Sequence, residues 1–257
     1  MDEFLVFALV GDLAQLVDGA LGMAYGVTSS TVLLAFGVPP AHASASVHAA
    51  ELFTTAASGT SHALYRNVDW RLLLRLAPAG MVGGAIGAYV LTGIDGDLLR
   101  PYILAYLAVM GVVIIWRTLS AGTGKPAPRS AHVPLGAIGG FVDAVGGGGW
   151  GPVVTTSLVG SGEPPRYAIG SANAAEFFVT AAISAAFVAA LLTGHWENAG
   201  DLTDHAFAVA GLIVGGVIAA PFAGYLVKIA PTRVLGLAVG CLVIGLSIYQ
   251  GWRIFAA

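Results

Sequence analysis

Two glutamates and two aspartates stand inside otherwise apolar stretches of this chain, in matched pairs: Glu51 with Glu176 and Asp18 with Asp143. A carboxyl group surrounded by hydrocarbon is costly, so each is a functional candidate: a proton carrier, a cation ligand or part of a path for polar cargo. Glu51 has polar company. Ser44, His48, Glu51, Thr55, Ser58 and His62 follow at spacings of four, three, four, three and four, which puts them on one helix face. In the second half the same face reads Ile169, Asn173, Glu176, Thr180, Ile183 and Phe187 and is polar only near its middle. His48 lies one turn from Glu51 and can share its proton, so His48, Glu51 and Glu176 form a candidate proton relay. The other reading is that each glutamate holds backbone groups of a broken helix in place. The two aspartates suit the capping of helix ends at glycine-rich bends. His48 and Glu51 also have the i, i+3 spacing of a metal pair. The second half offers Asn173 instead of His48, and no HExxH pattern occurs, so no metal site is expected. Neither a nucleophile pair nor a cofactor motif accompanies His48 and Glu51, so acid–base catalysis is not expected of them, nor a cofactor.

The elements that must position these residues are membrane helices. Of 257 residues 57% are hydrophobic and 10% charged, with a mean hydropathy of +0.83, more apolar surface than one water-soluble core buries. The formal charge of -3 and the isolated basic residues exclude a nucleic-acid partner. The acidic start Met1-Asp2-Glu3, with no small-residue cleavage site after the first apolar run, predicts a retained first segment. The single cysteine, Cys241, allows no disulfide framework and is read as core packing. Apolar runs of the roughly 20 residues needed to span about 30 Å occur at 41–64, 72–92, 99–119, 167–192, 206–227 and 234–255. Four shorter runs, 4–17, 23–36, 133–145 and 150–159, come in two pairs. Each pair is joined by a glycine-rich bend and reads as a broken or re-entrant hairpin. Trp70, Trp116, Trp196 and Trp252 near span ends read as interfacial anchors. The polar stretch 120–132, with Lys125, Pro126, Pro128 and Arg129, is the expected linker between repeats at 1–119 and 133–257.

The halves align without a gap at an offset of 125 (143 minus 18). Asp18 falls on Asp143, Gly22 on Gly147, Gly26 on Gly151, Thr31 on Thr156, Pro39-Pro40 on Pro164-Pro165, Ser46 on Ser171, and Ala49-Ala50-Glu51 on Ala174-Ala175-Glu176. A shared Asp, Glu and Pro-Pro in register are not compositional accidents, so the chain is a duplicated unit of about five helical segments. If Arg66, Arg71, Arg75, Arg117, Lys125, Arg129, Arg166, Lys228 and Arg233 are cytoplasmic, both termini lie outside, with Arg100 and Arg253. An odd number of segments then inverts the second repeat, the expected architecture being an all-α polytopic membrane protein with inverted-topology repeats.

The Asp-x-x-x-Gly-x-x-x-Gly pattern at Asp18-Gly22-Gly26 and Asp143-Gly147-Gly151, each followed by an apolar arm, a Pro-Pro turn and a helix with Ala-Ala-Glu, resembles the TauE/SafE sulfite exporter family over nearly the whole chain. The resemblance implies a multi-pass transporter of a bacterial-type inner membrane, moving sulfite, a sulfonate or a related sulfur-containing anion, usually outward. A proton or sodium ion is the possible coupling partner, and an oligomer is possible. No Lys or Arg lies deep in the expected spans, so a helix N-terminus at each bend must supply the attraction for an anion. On that reading the anion site is formed by Gly22, Gly26, Ser29, Ser30, Thr31, Gly147, Gly148, Gly151, Thr155 and Thr156, with Ser46, Ser171 and Asn173 beside it. Gly83-Gly84 and Gly215-Gly216 read as close helix packing. The competing reading is a cation or metal transporter in which the four carboxylates are ligands.

Overall fold

A computed structural model describes residues 2–120, 129–196 and 206–256. Most of the expected linker (121–128) and of the acidic loop after the fourth long run (197–205) lies outside the described residues. The described chain is helical: α1 Asp2–Leu21, α2 Tyr25–Ala35, α3 Pro40–Leu64, α4 Trp70–Thr92, α5 Gly96–Leu119, α6 His132–Gly146, α7 Thr156–Gly160, α8 Pro165–Leu192, α9 Ala206–Ala219, α10 Ala223–Ile229 and α11 Thr232–Ala256. A wide π-helical turn, Gly151–Thr155, leads into α7, and a 3-10 turn, Ala220–Phe222, joins α9 to α10. Among the described residues no strand occurs.

Helix limits follow local chemistry. Pro40 and Pro165 open α3 and α8, where the missing N–H costs nothing. Asp69 caps α4 by accepting from Arg71 N (2.8 Å) and Leu72 N (3.3 Å). Six helical stretches are long and apolar enough to cross a membrane: Glu3–Leu21, Trp70–Thr92, Gly96–Leu119, Pro165–Leu192, Ala206–Ile229 and Arg233–Ile254. Two expectations change here. The first arm, read as 4–17 and too short, is a 20-residue helix, because nothing breaks it before Gly22 takes a φ of +67°. The run 41–64 forms α3, 25 residues and about 37 Å long. Its polar stripe keeps it out of the six by hydropathy, and that stripe is wholly buried.

The helices meet through small residues. A Cβ on Gly83 would run into Ala137 O of α6, and one on Gly215 into Ala8 O of α1, so both glycine pairs expected to serve packing do so. α1 runs parallel to α9 and α10, with Gly11 against Leu212 and Gly19 against Ala223; α4 runs parallel to α6, with Leu76 against Gly136 and Gly87 against Phe141. α3 and α8 pack antiparallel, Ser58 meeting Asn173 while Asn67 meets Gly170. α5 and α11 are also antiparallel, Gly111 lying against Ile244 and Thr118 against Gly236. Two minor expectations are corrected. Trp196 is buried, its ring 4.9 Å edge-on from His42 and 5.8 Å from Phe187, because the chain turns inward after α8. Cys241 is exposed on α11, not a core residue, since α11 turns its Val239 and Val243 side inward.

Candidate functional site

The site grows from the two bends. Gly22 leaves α1 in the left-handed conformation, and Asp18 reaches forward, its Oδ1 accepting from Ala24 N (2.9 Å) and Tyr25 N (3.4 Å) at the start of α2. Glycine is needed there because the left-handed region strains any residue with a Cβ. α2 then returns along α1, bringing the Phe36 ring 5.2 Å from Phe7. The second bend repeats this. Gly147 has a φ of +66°, and Asp143 Oδ1 accepts from Gly149 N (2.7 Å) and Trp150 N (2.9 Å). Its return arm folds back on α6, with Val154 against Gly139. Each aspartate therefore satisfies two of the N–H groups that open its return arm.

Each aspartate's other oxygen crosses to the opposite half. Asn173 Nδ2 donates to Asp18 Oδ2 at 2.8 Å, and His48 Nε2 lies 3.3 Å from Asp143 Oδ2. Residues 48 and 173 are counterparts (173 minus 48 is 125), so the two braces are equivalent in place and different in chemistry. Ser58 Oγ donates to Asn173 Oδ1 and Ser30 Oγ to Gly147 O. Ser44 Oγ donates to Ala144 O (2.6 Å) and Tyr106 OH to Gly148 O (2.8 Å). The bends touch backbone to backbone: a Cβ on Gly26 would lie 2.8 Å from Gly148 Cα, and one on Gly151 would collide with Met23 Cα.

Glu51 is buried against this junction, with Oε1 2.8 Å from the position of a Gly26 Cβ. Its Oε2 has no hydrogen-bond partner among the described residues and stands 4.0 Å from His48 Nε2. One ligand atom each from His48, Glu51 and Asp143 falls within 4.8 Å of the others, close enough to hold a small cation. Glu176 is buried on α8, one turn from Asn173. No lysine or arginine is buried among the described residues.

Of the residues singled out from sequence, Gly22, Gly26, Ser29, Ser30, Gly147, Gly148, Gly151, Thr155, Asn173, His48, Glu51, Glu176, Asp18 and Asp143 lie at or beside the two bends. Ser29 Oγ and Thr155 Oγ1 are buried without a hydrogen-bond partner among the described residues. Others are engaged elsewhere. Thr31 Oγ1 turns back onto Val27 O (2.6 Å), Thr156 Oγ1 reaches only Met23 Sδ at 3.9 Å, and Ser171 Oγ accepts from Asp69 N (2.7 Å) at the start of α4. Ser46 is buried on α3 away from the polar stripe. Sequence reading missed Tyr106, which nothing in an apolar run distinguishes, and Ser44 as a brace, although the stripe contained it. A cavity of about 270 Å³ is lined by Arg117, Thr118 and Ser120 together with Leu21, Met23 and Ile169 beside the first bend. Another, of about 360 Å³, is lined by Leu34, Arg100, Gln250 and Arg253, where Arg100 Nη2 donates to Leu34 O (3.0 Å).

Six helices fit to span a bilayer, packed around a buried polar junction of two hairpin bends, define a multi-pass helical membrane protein. The chain belongs to the TauE/SafE sulfite exporter family: residues 7–250 match the family described as sulfite exporter TauE/SafE. Over 253 residues, 95% of this chain and 81% of the relative, it is 44% identical to the probable membrane transporter protein YtnM of Bacillus subtilis (strain 168). No solved structure matches it. The protein is a membrane transporter of this family.

Proposed function

We propose that the protein exports sulfite or a related sulfur-containing anion by alternating access, the anion sitting between the two hairpin bends. The observation that carries this is the tip-to-tip junction: two return arms open at one point, with Thr155 packed against Gly22, and the hydroxyls of Thr155 and of Ser29, one turn along α2 from Gly26, are buried without a hydrogen-bond partner among the described residues. Backbone N–H groups and hydroxyls are the donors an oxyanion needs where no basic side chain is buried. Units 1–119 and 133–257, joined by the linker 120–132, act as inverted repeats; the antiparallel packing of the counterparts α3 with α8 and α5 with α11 supports this. His48, Glu51 and Glu176 couple the cycle to a proton or sodium ion, and both termini lie outside the inner membrane.

Radiolabelled sulfite uptake into proteoliposomes, with sulfate, thiosulfate and short sulfonates as competitors, tests this reading. Glu51→Gln and Glu176→Gln should each lower saturable sulfite flux about tenfold or more, a loss of about 1.4 kcal/mol of transition-state stabilisation. The cation reading has one observation in its favour, the His48, Glu51 and Asp143 cluster. Flux of a divalent cation with none of any sulfur anion would establish it instead. Arg117→Ala should raise the apparent Km for sulfite several-fold from the linker side only, because its charge lines the cavity reaching the first bend.

A further inference from the structure

We infer that a single exchangeable proton bridges His48 Nε2 and Asp143 Oδ2, so that the second bend, unlike the first, is braced by a bond that proton loss can break. Its consequence for transport rests on the reading above; the bridge itself does not.

The donors and acceptors can be counted. His48 Nδ1 lies 2.7 Å from Ser44 O, which can only accept, so Nδ1 carries a hydrogen. Ser44 Oγ, 3.3 Å from the same nitrogen, has given its own hydrogen to Ala144 O and can only accept there as well. A neutral imidazole in this tautomer turns a bare lone pair at Nε2 toward Asp143 Oδ2, 3.3 Å away. Two acceptors at hydrogen-bond distance need a proton between them. Asp143 cannot readily turn aside, because its Oδ1 holds Gly149 N and Trp150 N. Glu51 Oε2, unpartnered and 4.0 Å from Nε2, brings a third acceptor to the same point.

The charged groups near His48 are carboxyls: Glu51 on its own helix, Asp143 on α6 and, farther off, Asp18 on α1 and Glu176 on α8. The other titratable groups at the junction are two tyrosines, with Tyr106 OH given to Gly148 O and Tyr25 OH to Leu212 O. The Phe187 ring, 6.3 Å from the imidazole, covers it from α8. At the counterpart position Asn173 donates to Asp18 Oδ2 through an amide, which keeps its hydrogens at any physiological pH. One difference between the halves thus converts a fixed brace into a titratable one. When the proton leaves to water, Nε2 and Oδ2 repel, and α3 loses its side-chain hold on Asp143. The first bend keeps its amide brace, whereas the second is then held by Ser30, Ser44 and Tyr106 through backbone carbonyls alone.

The protein labelled with [15N]histidine, in lipid nanodiscs, reports the bridge directly, the His48 signal being assigned by its absence in His48→Asn. Nδ1 should stay protonated throughout while Nε2 passes from protonated to bare as pH is raised, and Asp143→Asn should abolish that step in the same range. An Nε2 that stays bare over the whole range of folded protein overturns the bridge, and one that stays protonated throughout overturns its exchange. So does an Nε2 signal that shifts on adding sodium or calcium at constant pH, which would assign the cluster to a cation. In His48→Asn both braces are amides. The ratio of variant to parent sulfite flux, in which the cargo's own ionisation cancels, should therefore change roughly tenfold across about three pH units. A constant ratio would separate the bridge from transport, whereas absence of any sulfur-anion flux in the parent would remove the transport reading and leave the spectroscopic result standing.

Discussion

Gly148→Ala should abolish sulfite flux, at least a hundredfold below the parent, and sharply lower the thermal midpoint of the purified protein. Gly148 has a φ of +150°, a conformation open to glycine and strained for any residue with a Cβ. A methyl group there would run into the carbonyl carbon of Gly26 and the nitrogen of Val27. Both obstacles are backbone, so no rotamer change relieves them. Strain and overpacking together should cost roughly 3–5 kcal/mol. Gly160 and Gly251 serve as comparisons, since a Cβ at either meets nothing within 4 Å. Gly160→Ala and Gly251→Ala should leave the thermal midpoint within about a degree, at a cost of less than about 0.5 kcal/mol. If Gly148→Ala behaved like those two, the bends would not meet as described, and an anion site between them would lose its basis.

Asp143→Ala and Asp18→Ala should be the next most damaging substitutions. Each removes an acceptor from two buried N–H groups of a return arm and strands a polar partner, His48 in one case and Asn173 in the other. Unsatisfied buried donors cost about 1–3 kcal/mol apiece, so each variant should lose roughly 3–5 kcal/mol after relaxation. Asp18→Asn should be milder, because an amide oxygen can still accept from Ala24 N and Tyr25 N. Thermal unfolding in one detergent, followed through tryptophan fluorescence, ranks the variants. Trp150 is a suitable reporter, being buried beside the second bend with its Nε1 donating to Ala172 O at 2.9 Å. Equal midpoints for Asp143→Ala and the parent would mean that the arm is held without its cap.

The pattern at Asp18-Gly22-Gly26 and its repeat at Asp143-Gly147-Gly151 was legible because a helix that ends, turns and restarts needs a particular residue at each step. A left-handed turn wants glycine, a free helix start wants an acceptor, and both requirements leave a mark in a single sequence. The stripe from Ser44 to His62 was legible for the same kind of reason, since helical periodicity gathers it on one face, and that face is buried. The hydroxyls near the bends were harder. Ser29, Ser30 and Thr31 are adjacent in sequence, yet Ser29 Oγ is unpartnered, Ser30 donates to Gly147 O and Thr31 bonds its own helix. Successive helical residues point about 100° apart, so only the packing around α2 decides which one faces the junction. Tyr106 left no trace at all, since its role depends on α5 lying beside a bend more than forty residues away.

Composition and the glycine and proline punctuation by themselves determined a helical, membrane-embedded chain, and the 125-residue offset with its paired carboxyl groups led us to expect a duplication, because these are properties of local chemistry and of period. Tertiary structure alone decided that His48 faces Asp143, that Asn173 faces Asp18 and that Gly26 rests on Gly148. Those contacts join residues 95 to 155 positions apart, and they arise only when close packing of small residues brings the two bends to one point.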